Sequence, residues 1–477
     1  MKNFTLIIGV VMILMVQVST AQTQLWGTCQ NGGSRDSGTI FYCDGNGNNF
    51  QLAYTCSQLT GSLPWGNLCK ANNGKLYGVT FAGGCNDSCV LFAFDPQTGI
   101  FTDIHDLDCD AIQGNSPLNG MILSQNGNLY GLCSQGGANG YGVIYKVDLN
   151  TDTYTDIYDF IDSTGSGPQG TLIQLSDGKL YGMTQNGGAN SLGVIFSFDT
   201  SNSIYSMLCS LNSYTGCNPE TNGLIQGTNG KIYGMTTAGG SNWNPNGAIF
   251  SFDIYTGIYT ELFGFDGTNG AIPTGSLIQA TDGKLYGMTS WGGENFLQDG
   301  NIFSFDTATN TYTDLFDFNG TNGKRPYKSL IQGSNGLLFG TTHYGGTNDQ
   351  GVAFSYNITT HIYTKLIDFD GSTLGANPNC DFIEIPSLAT GIKTYSNESI
   401  LNLFPNPATT SITLHSQTPI LNSQLIIEDV LGNKIYQQQI NNSIQATIDI
   451  SKWSEGVYFY ELRGANDLAR GKFIIQK

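Results

Sequence analysis

Seven times along the chain a Leu or Ile, an aromatic residue and a Gly follow one another. The aromatic falls at Trp26, Tyr77, Tyr130, Tyr181, Tyr233, Tyr286 and Phe339, at intervals of 51, 53, 51, 52, 53 and 53 residues. In every copy a Gly-Gly pair opens six residues after the aromatic, at Gly32, Gly83, Gly136, Gly187, Gly239, Gly292 and Gly345. A period of about 50 residues marks a propeller blade or a solenoid unit. In residues 275–318, the cleanest copy, Ser276-Leu277-Ile278-Gln279 leads through a Thr281-Asp282-Gly283 turn into Lys284-Leu285-Tyr286-Gly287-Met288-Thr289. The Gly292-Gly293 loop, Asn301-Ile302-Phe303-Ser304-Phe305 and Tyr312-Thr313-Asp314-Leu315-Phe316-Asp317-Phe318 follow. This predicts four short antiparallel strands per period, A to D, joined by Gly, Asp and Asn turns. Large side chains on both faces suit a blade held between two neighbours.

Counting strands predicts how such a ring shuts. Trp26 belongs to a B strand with no A strand before it, whereas Pro378-Asn379-Cys380-Asp381-Phe382-Ile383-Glu384-Ile385 aligns with Pro273-Thr274-Gly275-Ser276-Leu277-Ile278-Gln279-Ala280. The expectation is an all-β, seven-bladed β-propeller over residues 22–387, its first blade closed by both termini. Cys29 and Cys380 then fall opposite each other across the A–B hairpin of that blade, and a disulfide there would contribute about 5 kcal/mol by loop entropy. Pairing of Cys29 with Cys43 is the competing reading. The Cys85-x3-Cys89 spacing lacks a partnering His/Cys pair, so a disulfide is expected there in preference to zinc.

Composition narrows the partners. With 19 basic against 37 acidic residues, a formal charge of -18 and 63 Gly, the chain offers no basic block for nucleic acid or for an anionic membrane surface. Residues 1–21 read as a secretory signal: Lys2, an apolar run from Leu6 to Val16, then Ser19-Thr20-Ala21. That run is short for a membrane span, and no span is expected after cleavage. The expected product is an exported monomer in an oxidising setting, which suits the 11 Cys.

The copies resemble the GloVer-type tandem repeat, roughly Leu-Tyr-Gly-x-Thr-x-x-Gly-Gly-x-Asn-x-x-Gly-x-Val-Phe, over residues 25 to about 386; residues 179–196 are a near-complete instance. Trp26 and Arg35 depart from it in the first copy. Such repeats are similar to kelch-like propellers, and the resemblance implies a fold without assigning an activity.

The period stops after residue 387. Residues 388–400 read as a linker, and 401–477 as a small Ig-like β-sandwich of about seven strands. Its landmarks are Leu403-Phe404-Pro405-Asn406-Pro407, Asp429-Val430-Leu431-Gly432, Gly456-Val457-Tyr458-Phe459-Tyr460 and Gly471-Lys472-Phe473-Ile474-Ile475-Gln476-Lys477. This segment resembles the type A sorting domain of the type IX secretion system, with Pro405, Asn406, Pro407, Gly432, Gly456, Tyr458, Lys472 and Lys477 as its signal residues. The resemblance implies handling by the type IX machinery and release or attachment at the cell surface.

No catalytic constellation stands out. His105, His343, His361 and His415 lie in different repeats or domains, so no imidazole pair is placed to hold a metal, and no Gly-x-Ser-x-Gly elbow is present. No cofactor is expected. Calcium at the alternating Asp106, Asp108 and Asp110, or at Asp266-Gly267-Thr268-Asn269-Gly270, stands beside the plainer reading of ordinary turns. Asn two residues after six of the Gly-Gly pairs (Asn86, Asn139, Asn190, Asn242, Asn295 and Asn348) repeats too regularly to be anything but scaffold. What varies is the candidate ligand face: Asn242, Trp243, Trp291, Phe296, His343 and Tyr344, aromatics beside amides that suit stacking on sugar rings. Packing between blades is the rival reading of the same rings. The leading expectation is therefore a non-catalytic module binding a glycan or a surface protein. The alternatives are a secreted glycoside hydrolase or lyase with acids gathered at one propeller mouth, and a structural matrix protein.

Overall fold

A computed structural model describes residues 23–84, 89–107, 113–241, 246–293, 299–386, 401–420, 423–429, 434–441, 443–463 and 468–476. The signal segment, the linker, Cys85, Asp108, Asp110, Asn242, Trp243, Phe296, Gly432 and Lys477 lie outside these residues. The chain divides into two compact units, residues 1–388 and 389–477.

The first unit is all-β and propeller-like. Among its described residues there is no α-helix, and the strands form successive antiparallel sheets of four or five strands. In the sheet of the cleanest copy the A strand Ile278–Gln279, B strand Leu285–Thr289, C strand Asn301–Asp306 and D strand Thr311–Asp317 pair in that order. Sterics explain the repeated triplet. A Cβ on Gly287 would sit 2.6 Å from Phe303 Cζ, and one on Gly340 2.7 Å from Phe354 Cζ, so the glycine makes room for the C-strand ring. The first Gly of the pair is left-handed and pressed on the preceding loop: a Cβ on Gly345 would meet Gly320 O at 2.6 Å. The repeated Asn is scaffold where it is described, Asn139, Asn190 and Asn348 donating to Phe160 O, Leu211 O and Phe369 O.

Each sheet buries its faces against the next. Tyr233, Met235 and Phe265 pack on Leu285, Phe303 and Phe305, and Tyr286, Met288 and Phe318 pack on Leu338, Phe354 and Tyr356. The same packing joins the last sheet to the first, with Phe339, Ala353 and Phe369 against Leu25, Cys29 and Phe41. Polar contacts follow the same rule. D-strand Tyr205, Tyr259, Tyr312 and Tyr363 donate to carbonyls of the preceding repeat, Thr164, Thr215, Asn269 and Asn322, at 2.5–2.9 Å. Their rings stack on the preceding D strand, as in Phe316–Tyr363 at 4.0 Å and Phe263–Tyr312 at 4.2 Å. Tyr154 does the same on His105, which makes that histidine a packing residue.

The segments leading into the A strands carry a relay. Gly223 N donates to Ser276 Oγ (2.8 Å), Ser276 N to Ser329 Oγ (2.9 Å), Ser329 N to Asp381 Oδ1 (2.6 Å) and Asp381 N to Asn67 Oδ1 (2.7 Å). Asn67 Nδ2 returns to Asp381 Oδ2 at 2.6 Å. Asp381 belongs to the segment after the last repeat, whose strands Ala376–Pro378 and Ile383–Pro386 pair with Thr23–Asn31 at the other end of the unit.

The register of the first sheet differs from the one counted along the sequence. Cys29 faces Pro378 and not Cys380. Between the pairs Cys29–Pro378 and Trp26–Ile383, two residues of one strand oppose four of the other, so the ladder bulges there. Cys380 Sγ accepts from Thr28 N at 2.9 Å instead. Cys43 pairs with Leu25 and Cys29 with Thr39, so the competing Cys29–Cys43 bridge is out of register. All the described cysteines are free thiols.

The second unit has two sheets, Leu401–Phe404, Ser411–Ile420 and Ser443–Asp449 in one, Lys434–Ile440, Ser423–Glu428, Gly456–Arg463 and Leu468–Ile475 in the other. They enclose a core including Ile412, Leu414, Ile427, Tyr458 and Phe473. Asn406 Oδ1 accepts from Ile474 N at 2.9 Å, tying the Pro405-Asn406-Pro407 segment to the last strand, and Tyr458 donates to Ser454 O. Lys472 is exposed.

Asp381 should matter more than any other residue of that relay. Asp381→Ala leaves Lys328 buried without its counter-charge and is expected to cost about 3–5 kcal/mol in urea unfolding. The double change Asp381→Ser/Lys328→Gly, which copies Ser276 and Gly275 of the sixth repeat, should restore most of it.

Candidate functional site

Trp291 and Tyr344 occupy one repeat position in successive copies, each bridged to the preceding loop, Ala271 to Trp291 and Lys324 to Tyr344. Arg325 leaves that loop with a left-handed backbone (φ 53°), the conformation shared by Leu63, Ser116, Asn218, Ile272 and Asn377 just before their prolines. There it crosses to the earlier blade, with its guanidinium carbon 4.0 Å from the centre of the Trp291 ring, a cation–π contact. Lys324 Nζ lies 5.9 Å over Tyr344 and 2.9 Å from Asp349 Oδ1. His343 is wedged between Tyr344 (4.5 Å, edge-on) and Tyr327 (5.1 Å).

Of the expected ligand residues, then, the structure gathers Trp291, His343 and Tyr344 into one sector. Asn242, Trp243 and Phe296 lie outside the described residues. His343 is 8% exposed and belongs to the packing, whereas Trp291 and Tyr344 are half-buried. Lys324, Arg325, Tyr327 and Lys328 were not singled out from sequence. The available signal was alignment: where this copy has Tyr327, Lys328 and His343, the sixth has Thr274, Gly275 and Ser290 and the fourth has Gln169, Gly170 and Gln185.

Electrostatics sets this sector apart. Lys328 is 4% exposed and its Nζ has no hydrogen-bond partner; burial lowers its pKa, partly offset by Asp381. Burial likewise holds the Asp381 carboxyl above the ordinary range, against the pull of Lys328. His343 is pushed down to about 4, first by burial and further by the Lys328 charge, and its Nδ1 has no partner. Burial raises Asp299, opposed by Lys324 and Arg325, while the hydrogen bond from Lys324 lowers Asp349.

Elsewhere the acids serve turns. Asp266 Oδ1 accepts from Thr268 N, Thr268 Oγ1 and Asn269 N of its own loop, the plain-turn reading of that motif. Among the described residues no group of three His, Cys, Asp or Glu is placed to hold a metal. Asp156, raised to about 6 by burial and then by Asp159, sits in a D strand where acid pairs recur as Asp103/Asp106 and Asp314/Asp317.

Because His343 is neutral in the fold and titrates near 6.5 when unfolded, its contribution is intact above pH 6.5 and is lost as pH falls toward 4, by up to about 3 kcal/mol. His343→Gln, the residue at Gln30 and Gln185, should remove that part of the pH slope in unfolding curves measured from pH 4 to 7.

The Gloeobacter/Verrucomicrobia repeat matches residues 15–244 and 220–400, and the secretion system C-terminal sorting domain matches residues 402–476. No curated protein matches the chain. Two solved structures, provisionally assigned 6-phosphogluconolactonases from Bacteroides uniformis and Bacteroides fragilis, are 15% and 17% identical. They share 76% and 77% of this chain and 99% of theirs, each at a TM-score of 0.51. TolB from Acinetobacter baumannii is 16% identical over 62% of this chain and 63% of its own, at a TM-score of 0.40. At such identities the likeness is one of fold alone. The C-terminal domain supports export by type IX secretion, to the medium or the cell surface. With four fifths of its length matched, the chain belongs to the Gloeobacter/Verrucomicrobia repeat family.

Proposed function

We propose that the repeat region is a seven-bladed propeller whose first blade is assembled from both of its ends, and that it acts outside the cell as a non-catalytic module binding a glycan or a surface protein. The ring is supported by the pairing of residues 376–386 with 23–31 and by Glu384, which takes Ser334 N at 2.8 Å as Gln332 takes Thr281 N and Gln279 takes Thr228 N. In the oxidising medium Cys29 and Cys380 give two protons and two electrons to a disulfide-exchange oxidant and join. A Cβ on Gly27, which shares the face of Cys29, would lie 3.0 Å from Cys380 Sγ. The linked peptide is expected in digests made without reductant.

The observation that carries the binding reading is the concentration of departures from the repeat in one sector. Trp291 and Tyr344 supply half-buried ring faces, and Arg325, Lys324 and Asp349 supply hydrogen-bonding groups beside them. We assign Asn242, Trp243 and Phe296 to the same face from their place in the B–C connections. One observation favours hydrolysis as a second reading: Asp299 and Asp349, in the same cluster, are pushed in opposite directions, as a general acid and its partner carboxylate would be.

The test is binding of the full chain to a panel of soluble polysaccharides beside Trp291→Ala/Tyr344→Ala. Saturable binding weakened at least tenfold in the variant, with no new reducing or unsaturated ends, is the expected result. Released ends would favour the hydrolase or lyase. Silence across the panel would remove the glycan and leave a surface protein as the ligand.

A further inference from the structure

Arg325 and Lys328 lie three residues apart in a chain whose acids outnumber its bases by 37 to 19. Among the described residues neither is ion-paired within 4.0 Å. Arg325 rests on the Trp291 ring, and Lys328 Nζ is more than nine-tenths buried with no partner. Beside it, His343 Nδ1 is also buried and unpartnered. Buried polar groups are normally satisfied, so the unpaired Lys328 ammonium points to a missing group. No other repeat places a cation there: Gly66, Asn119, Gly170, Asn222, Gly275 and Cys380 stand where Lys328 does. Asp381 does not fill the role, because no oxygen of it lies within 4.0 Å of Lys328 Nζ. The acceptor that Lys328 lacks is an oxyanion, Arg325 carries a second cation beside the Tyr327 hydroxyl, and the adjoining faces of Trp291 and Tyr344 suit a sugar ring.

We propose that this sector binds an acidic saccharide, one whose units carry a carboxylate or a sulfate, with Arg325 and Lys328 as its anion-binding pair. This rests on the glycan reading above and names the ligand's chemistry. Arg325 offers a planar fork to the oxyanion and Lys328 a single charge behind it. The binding weakens with added salt, whereas stacking alone does not.

The experiment uses matched probes on the full chain: polygalacturonate against its methyl ester, and dextran sulfate against dextran. Binding to a charged member at least tenfold tighter than to its neutral partner is expected, and the pair that responds identifies carboxylate or sulfate. Arg325→Asn and Lys328→Asn should each cost at least tenfold on the charged probe. Asn already stands at the equivalent positions Asn218 and Asn377, so the fold should tolerate Arg325→Asn, and Lys328→Asn is made together with Asp381→Ser so that no buried carboxylate is left without its counter-charge. Should a variant melt early, protection of Arg325 in the unaltered chain from phenylglyoxal by the charged probe gives the same answer. Equal binding of charged and neutral partners would overturn the anionic ligand and leave the glycan reading standing. Binding to none of the four overturns both, and variants that bind like the parent overturn the assignment to these residues.

Discussion

A four-stranded sheet with large apolar side chains on both faces can bury them only between two sheets like itself. Every repeat meets that demand through its neighbours: Met288 and Tyr286 are buried by Leu338 and Phe354, and Phe303 by Tyr233 and Met235. The sheets at the two ends of the repeat region face the same demand, and they meet it in each other, through Phe339 and Phe369 against Leu25 and Phe41. The hydrogen bonds follow the repeat, a backbone N–H reaching an acceptor 51–53 residues away and a Tyr hydroxyl one 41–44 residues away. Asp381 joins this relay from the strand segment beyond the last repeat, bonded to Ser329 on one side and Asn67 on the other.

Because that scaffold is copied, departures from it are informative. Ser276 and Ser329 hold one inner position with a hydroxyl, while Asp381 holds it with a carboxylate and has Lys328 beside it. Tyr327, Lys328 and His343 replace small or neutral residues at positions where the other copies show no common need for them. The result is one sector with aromatic faces, three cations and two acids of opposite tuning, set into an architecture that otherwise repeats. On our reading the ring supplies rigidity and that single sector supplies recognition.

Much of this was legible in the residues, because the constraint is local and steric. Leu-Tyr-Gly recurs since the C-strand Phe needs the space a Cβ would take, and Gly-Gly recurs since the first glycine is left-handed against a carbonyl. Trp291, His343 and Tyr344 stood out as aromatics in variable loops. Arg325 and Lys328 did not, because a charge beside a proline looks like solvated surface until the copies are aligned and the guanidinium is seen on Trp291. The place of Cys29 and Cys380 in the first sheet could be counted, but their register could not, since residues 379–382 bulge out of the ladder. Asn242, Trp243 and Phe296 lie outside the described residues.

The claim on which the rest depends is that the two ends of the repeat region share one sheet. Amide hydrogen exchange of the intact chain, followed over segments 23–31 and 376–386, addresses it directly. Both segments should exchange only with global unfolding, as slowly as the paired strands of residues 285–306. Rapid exchange over 376–386 while those strands stay protected would contradict a ring shut by its own ends.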